Sequence, residues 1–239
     1  MNIYETDKLL AEYLLFHYGA ADEILPYGFG PLEALRYPAR CVSECVTASG
    51  RALDLGCAVG RSTFELARNC SEVIGIDFSQ RFIDAANALK TGDLPYARTD
   101  EGDRTTPLVA RVPAGIDRAR VTFETGDAMH LRDDLGTFDI VLMANLIDRL
   151  REPQRCLARL PALVKAGGQL VITSPYTWLE DFTPRENWLC PALDGLRTAL
   201  APHFDLVTTQ DLPFIIREHA RKFQWSVAQA SVWRRKVEC

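Results

Sequence analysis

The spacing of apolar residues changes period several times along the chain. In residues 6–18, Leu9, Leu10, Tyr13 and Leu14 fall on one helical face, with Thr6 or Asp7 to cap the start and Gly19 to end it. The turn-rich "YGFGP" at 27–31 follows, and Pro38 suits the first turn of a second helix ending near Gly50. From there short apolar runs alternate with helical stretches. Strands are predicted at 51–56, 72–77, 120–127, 138–145 and 168–174, and helices at 60–70, 79–90 and 153–165, the last broken or kinked near Pro161. Such alternation predicts an α/β fold, a doubly wound and mostly parallel sheet with helices on both faces. The last two runs, 204–214 and 223–235, are joined by too short a connection for a crossover helix, so they predict an antiparallel pair at the end of the sheet. Residues 91–119 interrupt the alternation with two extended runs around "DEGD", a hairpin pattern that suits a lid, a dimer contact or a plain surface insertion.

The chain of 239 residues is read as one domain: N-terminal helices in 1–50, a cofactor-binding core in 51–175 with the insertion at 91–119, and a substrate-side loop with the terminal strands in 176–239. A net charge of −5 disfavours nucleic acid as a partner. No apolar run is long enough to span a bilayer, and acids stand where a signal peptide would carry bases, so a cytoplasmic location is expected. Seven cysteines in no paired pattern fit a reducing compartment. Cys41 and Cys45, four apart, read as core residues, and the four histidines show no ligand spacing, so no metal is expected.

The chemistry gathers at strand ends. "LDLGCAVG" (53–60) joins the first strand to the first crossover helix, and Gly56 and Gly60 allow a tight turn with close approach to a ligand. Asp77 ends the second strand, where an acid accepts from both hydroxyls of a ribose. Phe78 beside it can cover an adenine face, and Asp127 in "TGDA" can accept from an exocyclic amine. The G-x-G-x-x-G spacing of a nicotinamide site is absent.

The row Asp54 to Gly60 resembles the first motif of class I S-adenosylmethionine-dependent methyltransferases, with Ala58 in place of the usual middle glycine. That resemblance implies the seven-stranded Rossmann-like sheet of the class. It implies S-adenosylmethionine as cofactor and S-adenosylhomocysteine as product, with Asp54, Gly56, Cys57 and Gly60 around the amino-acid part, Asp77 and Phe78 at the ribose and adenine, and Asp127 and Ala128 at the base. "MANLIDRL" (143–150) would face the methionine part and the acceptor, with Asn145 as a cofactor contact and Asp148 on the acceptor side or simply at a helix start. Arg40 can reach the cofactor carboxylate or lie on the surface. "SPY" (174–176) follows the fifth strand of the core and not the fourth, where the motif of adenine-methylating DNA enzymes stands, which also speaks against nucleic acid.

Stretches outside the generic fold, "DKLLAEYLLFHYG", "VITSPYTWLEDFTPRENWL" and "LPFIIREHARKFQW", resemble the methyltransferase module of ovothiol biosynthesis. This resemblance implies methylation of the π nitrogen of 5-thiohistidine. The sulfur-inserting part of that family is not in this sequence, so either a separate sulfoxide synthase supplies the substrate or the sequence is an excised module of a larger chain. Tyr176, Trp178 and Glu180 would form the acceptor wall, and Arg217 would grip its carboxylate. Glu180, Asp148 and Glu218 are the candidates to remove or hold a ring proton. A methyltransferase for another small acceptor, or a cofactor-binding regulatory protein without catalysis, stands as the alternative.

Overall fold

The computed structural model describes residues 3–237, so the last of the seven cysteines, Cys239, lies outside the described residues. Seven strands form one twisted sheet. In chain order they are β1 (Gly50–Leu55), β2 (Cys70–Asp77), β5 (Val121–Thr125), β6 (Phe138–Ala144), β7 (Val164–Ser174), β8 (Phe204–His219) and β9 (Lys222–Arg235). The strands β3 (Leu94–Glu101) and β4 (Arg104–Ala110) form a separate antiparallel hairpin. The order across the large sheet is β5-β2-β1-β6-β7-β9-β8. The first five run parallel to one another, while β9 pairs antiparallel with both β7 and β8. Pro213 can lie inside β8 because β8 is the edge strand, where a missing N–H breaks no outer ladder.

Alternation along each strand splits the core in two. Ala52, Val73, Phe123, Leu142 and Val171 face helices α1 (Asp7–Tyr18), α3 (Tyr37–Ser43), α4 (Arg61–Leu66) and α5 (Gln80–Thr91). Leu53, Leu55, Ile76, Met143 and Ile172 face α6 (Pro153–Leu163) and α7 (Ala192–Leu200). Strands buried on both faces are what a parallel sheet with helical layers requires. A third, smaller cluster joins Leu15, the short helix α2 (Ala21–Ile24), Leu25 and Leu35 to Ile215 on β8.

Several bounds differ from the sequence reading. The second helix stops at Ser43, well short of Gly50, and α6 runs through Pro161 to Leu163, leaving that proline inside the helix. β7 begins at Val164, ahead of its apolar run. Helix α7 is not apparent in the pattern; its short apolar face of Leu193, Leu196 and Leu200 is diluted by Gly195 and two prolines nearby.

Candidate functional site

The chain reverses direction of winding between β1 and β6, and a crevice opens there beyond the carboxyl ends of the strands. It holds a cavity of about 390 Å³. Its floor comes from the ends of β1, β2 and β6: Gly56, Ala58, Asp77, Phe78, Asn145 and Leu146, with Asp127, Ala128 and Met129 after β5. Its roof comes from Tyr4 and from Tyr13, Phe16 and His17 of α1, with Asp181 and Phe182 closing one side.

The glycine loop is held from beneath and from the side. Gly56 and Gly60 sit at φ of +74° and +86°. A Cβ on Gly60 would meet the Phe123 ring at 2.5 Å, so only glycine fits this left-handed turn at the start of α4. Ala58 also takes a positive φ of 48°. The Asp77 carboxylate fixes it there: Oδ2 accepts from the Ala58 N–H at 2.8 Å and Oδ1 from the Ser79 N–H at 2.9 Å. Burial raises the Asp77 pKa, and these backbone donors oppose the rise.

Asp54 is fully buried under the loop and does not line the cavity. Its Oδ2 accepts from Ser62 Oγ and Thr63 Oγ1, both at 2.7 Å, and its Oδ1 has no partner. Burial pushes its carboxyl up to about 6, against the pull of the Thr63 and Ser62 hydroxyls. Asp54 thus ties the first turn of α4 to β1, and Ser62 is the residue of the pair that reaches the cavity. Cys57 and Gly60 also do not line it, the former buried with its thiol raised well above the usual range by burial.

At the other end, Asp127 Oδ1 accepts from the Met129 N–H at 2.8 Å, and Oδ2 lies 2.8 Å from His130 Nδ1. Phe78 is 67% exposed, a large apolar ring left open on the cavity rim. Asn145 adopts φ of 52°, which asparagine tolerates better than most residues. Its side-chain Oδ1 accepts from the Tyr37 hydroxyl at 2.6 Å.

The residues expected around the acceptor are placed differently. Arg40 donates to Glu44 and to the carbonyls of Glu33 and Pro213, on a surface away from the cavity. Arg217 is buried, and donates to the Glu23 carbonyl at 2.7 Å and to Asp100 at 3.3 Å; it clamps the N-terminal segment and the β3–β4 hairpin onto β8. Glu218 pairs with Lys222 and accepts from Gln224. Glu180 is exposed and pairs with Arg185 at 2.9 Å. Asp148 is fully buried, accepting from the Thr177 N–H at 2.9 Å and pairing with Arg149, and burial raises its pKa. The Tyr176 hydroxyl donates to Gln229 at 3.1 Å, and Trp178 packs on the core with α6 and α7. The post-β7 segment does overhang the crevice, but through Asp181 and Phe182, whose ring lies 6.2 Å from that of Tyr4.

The roof residues escape the sequence reading, yet one signal for them exists. Leu10, Tyr13, Leu14 and His17 share one face of α1, so a single imidazole interrupts an apolar stripe. His17 stacks on Tyr13 with ring centroids 5.9 Å apart. Its Nδ1 is buried without a partner, and burial, aided by Arg61, lowers its pKa to about 3, so the ring is neutral.

This crevice suits a nucleoside-bearing cofactor. Each Asp77 oxygen has accepted one backbone N–H, and a carboxylate oxygen has room for a second donor, so two acceptors remain for a vicinal diol. Fold and site together define a cofactor-dependent α/β enzyme of the doubly wound kind. Residues 53–172 match the family model described as a methyltransferase domain, and the chain belongs to that family, as a class I methyltransferase that uses S-adenosylmethionine. It is 25% identical over 134 residues to a ubiquinone biosynthesis O-methyltransferase of Coxiella burnetii, covering 56% of this chain and 47% of that protein. The chain therefore spans about half the length of the curated relatives it matches. Among solved structures it is similar to the N-methyltransferase NodS of Bradyrhizobium japonicum bound to S-adenosylhomocysteine, with a TM-score of 0.54 at 16% identity over 95% of this chain and 98% of that one. It is also similar to the [4+2]-cyclase SpnF, with a TM-score of 0.59 at 19% identity over 96% and 93%. These two likenesses establish the fold. No helix among the described residues is long and apolar enough to cross a membrane.

Proposed function

We propose that the chain methylates a small heteroaromatic acceptor, 5-thiohistidine, on the π nitrogen of its imidazole to give ovothiol A. One observation carries the reading. The stretches whose wording resembles the ovothiol methyltransferase module, 7–19 and 171–189, are those that bring Tyr13, Phe16, His17, Asp181 and Phe182 to the cavity. Two of the three stretches specific to that resemblance therefore supply aromatic cover to the cavity, and the third reaches it through Ile216.

S-adenosylmethionine, when bound, supplies an electrophilic methyl group on a positive sulfonium. Asp77 and the loop at Gly56 and Ala58 would hold its ribose and amino-acid ends, and Asp127 its base. The chain's own contribution is alignment: well-oriented reactions reach effective molarities of about 10⁵–10⁸ M. Tyr13, Phe16 and Phe182 exclude water from the crevice. A ring nitrogen attacks through its lone pair while the ring proton stays on the other nitrogen, so the protein must select a tautomer and need not remove a proton. That fits the placement of Glu180, Glu218 and Asp148, all engaged elsewhere. A sulfoxide synthase activity in the same route would supply the thiohistidine.

Incubation with S-adenosylmethionine and 5-thiohistidine, beside histidine, a catechol and a primary amine, followed by mass spectrometry, tests this. Mono-methylated thiohistidine as the main product is expected. Turnover of another acceptor with none on thiohistidine refutes the substrate, and cofactor binding with no turnover on any would favour a regulatory role.

A further inference from the structure

Tyr37, Thr173 and Asn145 form a closed circuit at the carboxyl ends of β6 and β7. The Tyr37 hydroxyl lies 2.6 Å from Asn145 Oδ1 and 2.7 Å from Thr173 Oγ1. The Asn145 N–H is shared between the Thr173 carbonyl at 2.9 Å and Thr173 Oγ1 at 3.3 Å. Each hydroxyl has one proton to give. If Tyr37 gives its proton to Asn145, Thr173 gives its own to Tyr37 and receives from the Asn145 N–H, and every proton is used once. Reversing the amide would turn the Tyr37 proton onto Thr173. The Thr173 hydroxyl, which lies 3.3 Å from Asn145 Oδ1 and can donate to it, would then face an NH₂ group instead. The circuit therefore sets the amide with its oxygen inward.

The consequence lies on the other side of the amide. Asn145 lines the cavity, and its Nδ2 makes no hydrogen bond among the described residues. It offers donors and no acceptor. Its place in the sheet order is on the far side of β1 from Asp77 and Asp127, so it stands at the end of the crevice away from the two acids that would hold ribose and base. Around it the Tyr37 ring packs on Phe16 and Phe214, with centroids 6.0 and 4.9 Å away, which leaves the hydroxyl little freedom to turn.

We propose that Tyr37 is a positioning residue that fixes Asn145 as a donor-only contact, and that the methyl acceptor presents an anionic or lone-pair-bearing group to it, a thiolate or a carboxylate, and not an N–H. The choice of 5-thiohistidine as probe rests on the proposed function; the polarity of the contact does not. The same chemistry can come from the carboxylate of the cofactor, and the two titrations below distinguish these sources.

The test compares wild type with Tyr37→Phe, Thr173→Val and Asn145→Asp. Calorimetry measures S-adenosylhomocysteine first, then 5-thiohistidine with S-adenosylhomocysteine saturating. Tyr37→Phe and Thr173→Val release the amide and should each weaken thiohistidine about 3–10-fold, the scale of one hydrogen bond. In turnover they should raise KM more than they lower kcat. Asn145→Asp keeps the shape, keeps an acceptor for Tyr37, and turns a carboxylate toward the ligand; it should weaken thiohistidine further. S-adenosylhomocysteine should bind all four proteins alike. Tighter thiohistidine binding by Asn145→Asp overturns the proposal, because the ligand would then be a donor. Loss of S-adenosylhomocysteine affinity with thiohistidine unaffected also overturns it, assigning the contact to the cofactor. If wild type binds no thiohistidine, the substrate reading fails by itself, and the acceptor found in the turnover screen replaces it in the same titrations. The circuit has its own readout in the ligand-free protein. A slowly exchanging Tyr37 hydroxyl proton is expected by NMR, absent from Tyr37→Phe and shifted in Thr173→Val, which removes the donor to its oxygen; its absence in wild type overturns the circuit.

Discussion

Replacing Asp77 with asparagine separates the two tasks that this carboxylate performs. Both oxygens already accept from backbone, at 2.8 and 2.9 Å, and both face the crevice that would hold the ribose. An asparagine has one acceptor atom where the aspartate has two. Whichever way its amide turns, an NH₂ group meets either the Ala58 or the Ser79 N–H, and one ribose hydroxyl loses a charged acceptor. A hydrogen bond to a charged group is worth about 1.5–3 kcal/mol, so cofactor affinity should fall about 10–150-fold. Stability should fall less than the lost loop bond alone suggests. Burial already raises the Asp77 pKa, so the ionised carboxylate is held there at a cost, and the neutral amide is relieved of it. The assay is calorimetric titration with S-adenosylhomocysteine, which binds without turnover, beside a thermal melt of the ligand-free protein. An unchanged dissociation constant in a folded Asp77→Asn protein refutes the ribose assignment. A weakened one that tracks a collapsed melt would reduce Asp77 to a loop fastener.

Two further outcomes follow from buried charge. His17 stays neutral in the folded chain down to about 3, against its usual 6.5, so the unfolded chain binds the extra proton between those values and stability rises with pH across that window. At pH 5.5 this should cost about 1.4 kcal/mol relative to neutral pH. Asp54, pushed up to about 6 from 3.8, slopes the opposite way, its contribution falling as pH rises through that range, so the readout is the difference between urea melts of wild type and His17→Phe, and a parallel pair of pH profiles would refute it. Arg217→Ala should lower stability by about 1–3 kcal/mol through loss of the Glu23 and Asp100 contacts, while the KM for the acceptor changes little; a selective rise in that KM would return Arg217 to the substrate site.

The sheet was legible because its strands are short apolar runs between turn residues, and the floor of the crevice was legible because backbone geometry demands glycine at 56 and 60 and the fold places an acid at the end of β2. The roof was not. A helical period tells which face of α1 is apolar, but not that this face covers a ligand cavity in place of core. Arg217 and Asp148 misled for a related reason. Both are charged residues near strand ends, and sequence cannot distinguish a charge that meets a ligand from one that satisfies carbonyls and amides of the chain itself. Tyr37 had no signal at all: it reads as one more aromatic at a helix start, and only the paired ends of β6 and β7 give its hydroxyl two partners.

The clamp between the first and last parts of the chain sets an order of events during folding. The Tyr27 hydroxyl reaches the Ala220 carbonyl across 193 residues, and Arg217 reaches the Glu23 carbonyl across 194. Contacts so distant in sequence form late, since closing so large a loop costs entropy before any contact repays it. The cover itself does not wait for this clamp: α1 is held by earlier elements, through the Tyr18 hydroxyl on the Val59 carbonyl, Arg61 on the His17 carbonyl and the Tyr13 ring on Phe82. On a ribosome the crevice and its aromatic cover would thus come together once β6 has emerged, and only the segment at Glu23 and Tyr27 would stay unfastened until β8 and β9 arrive.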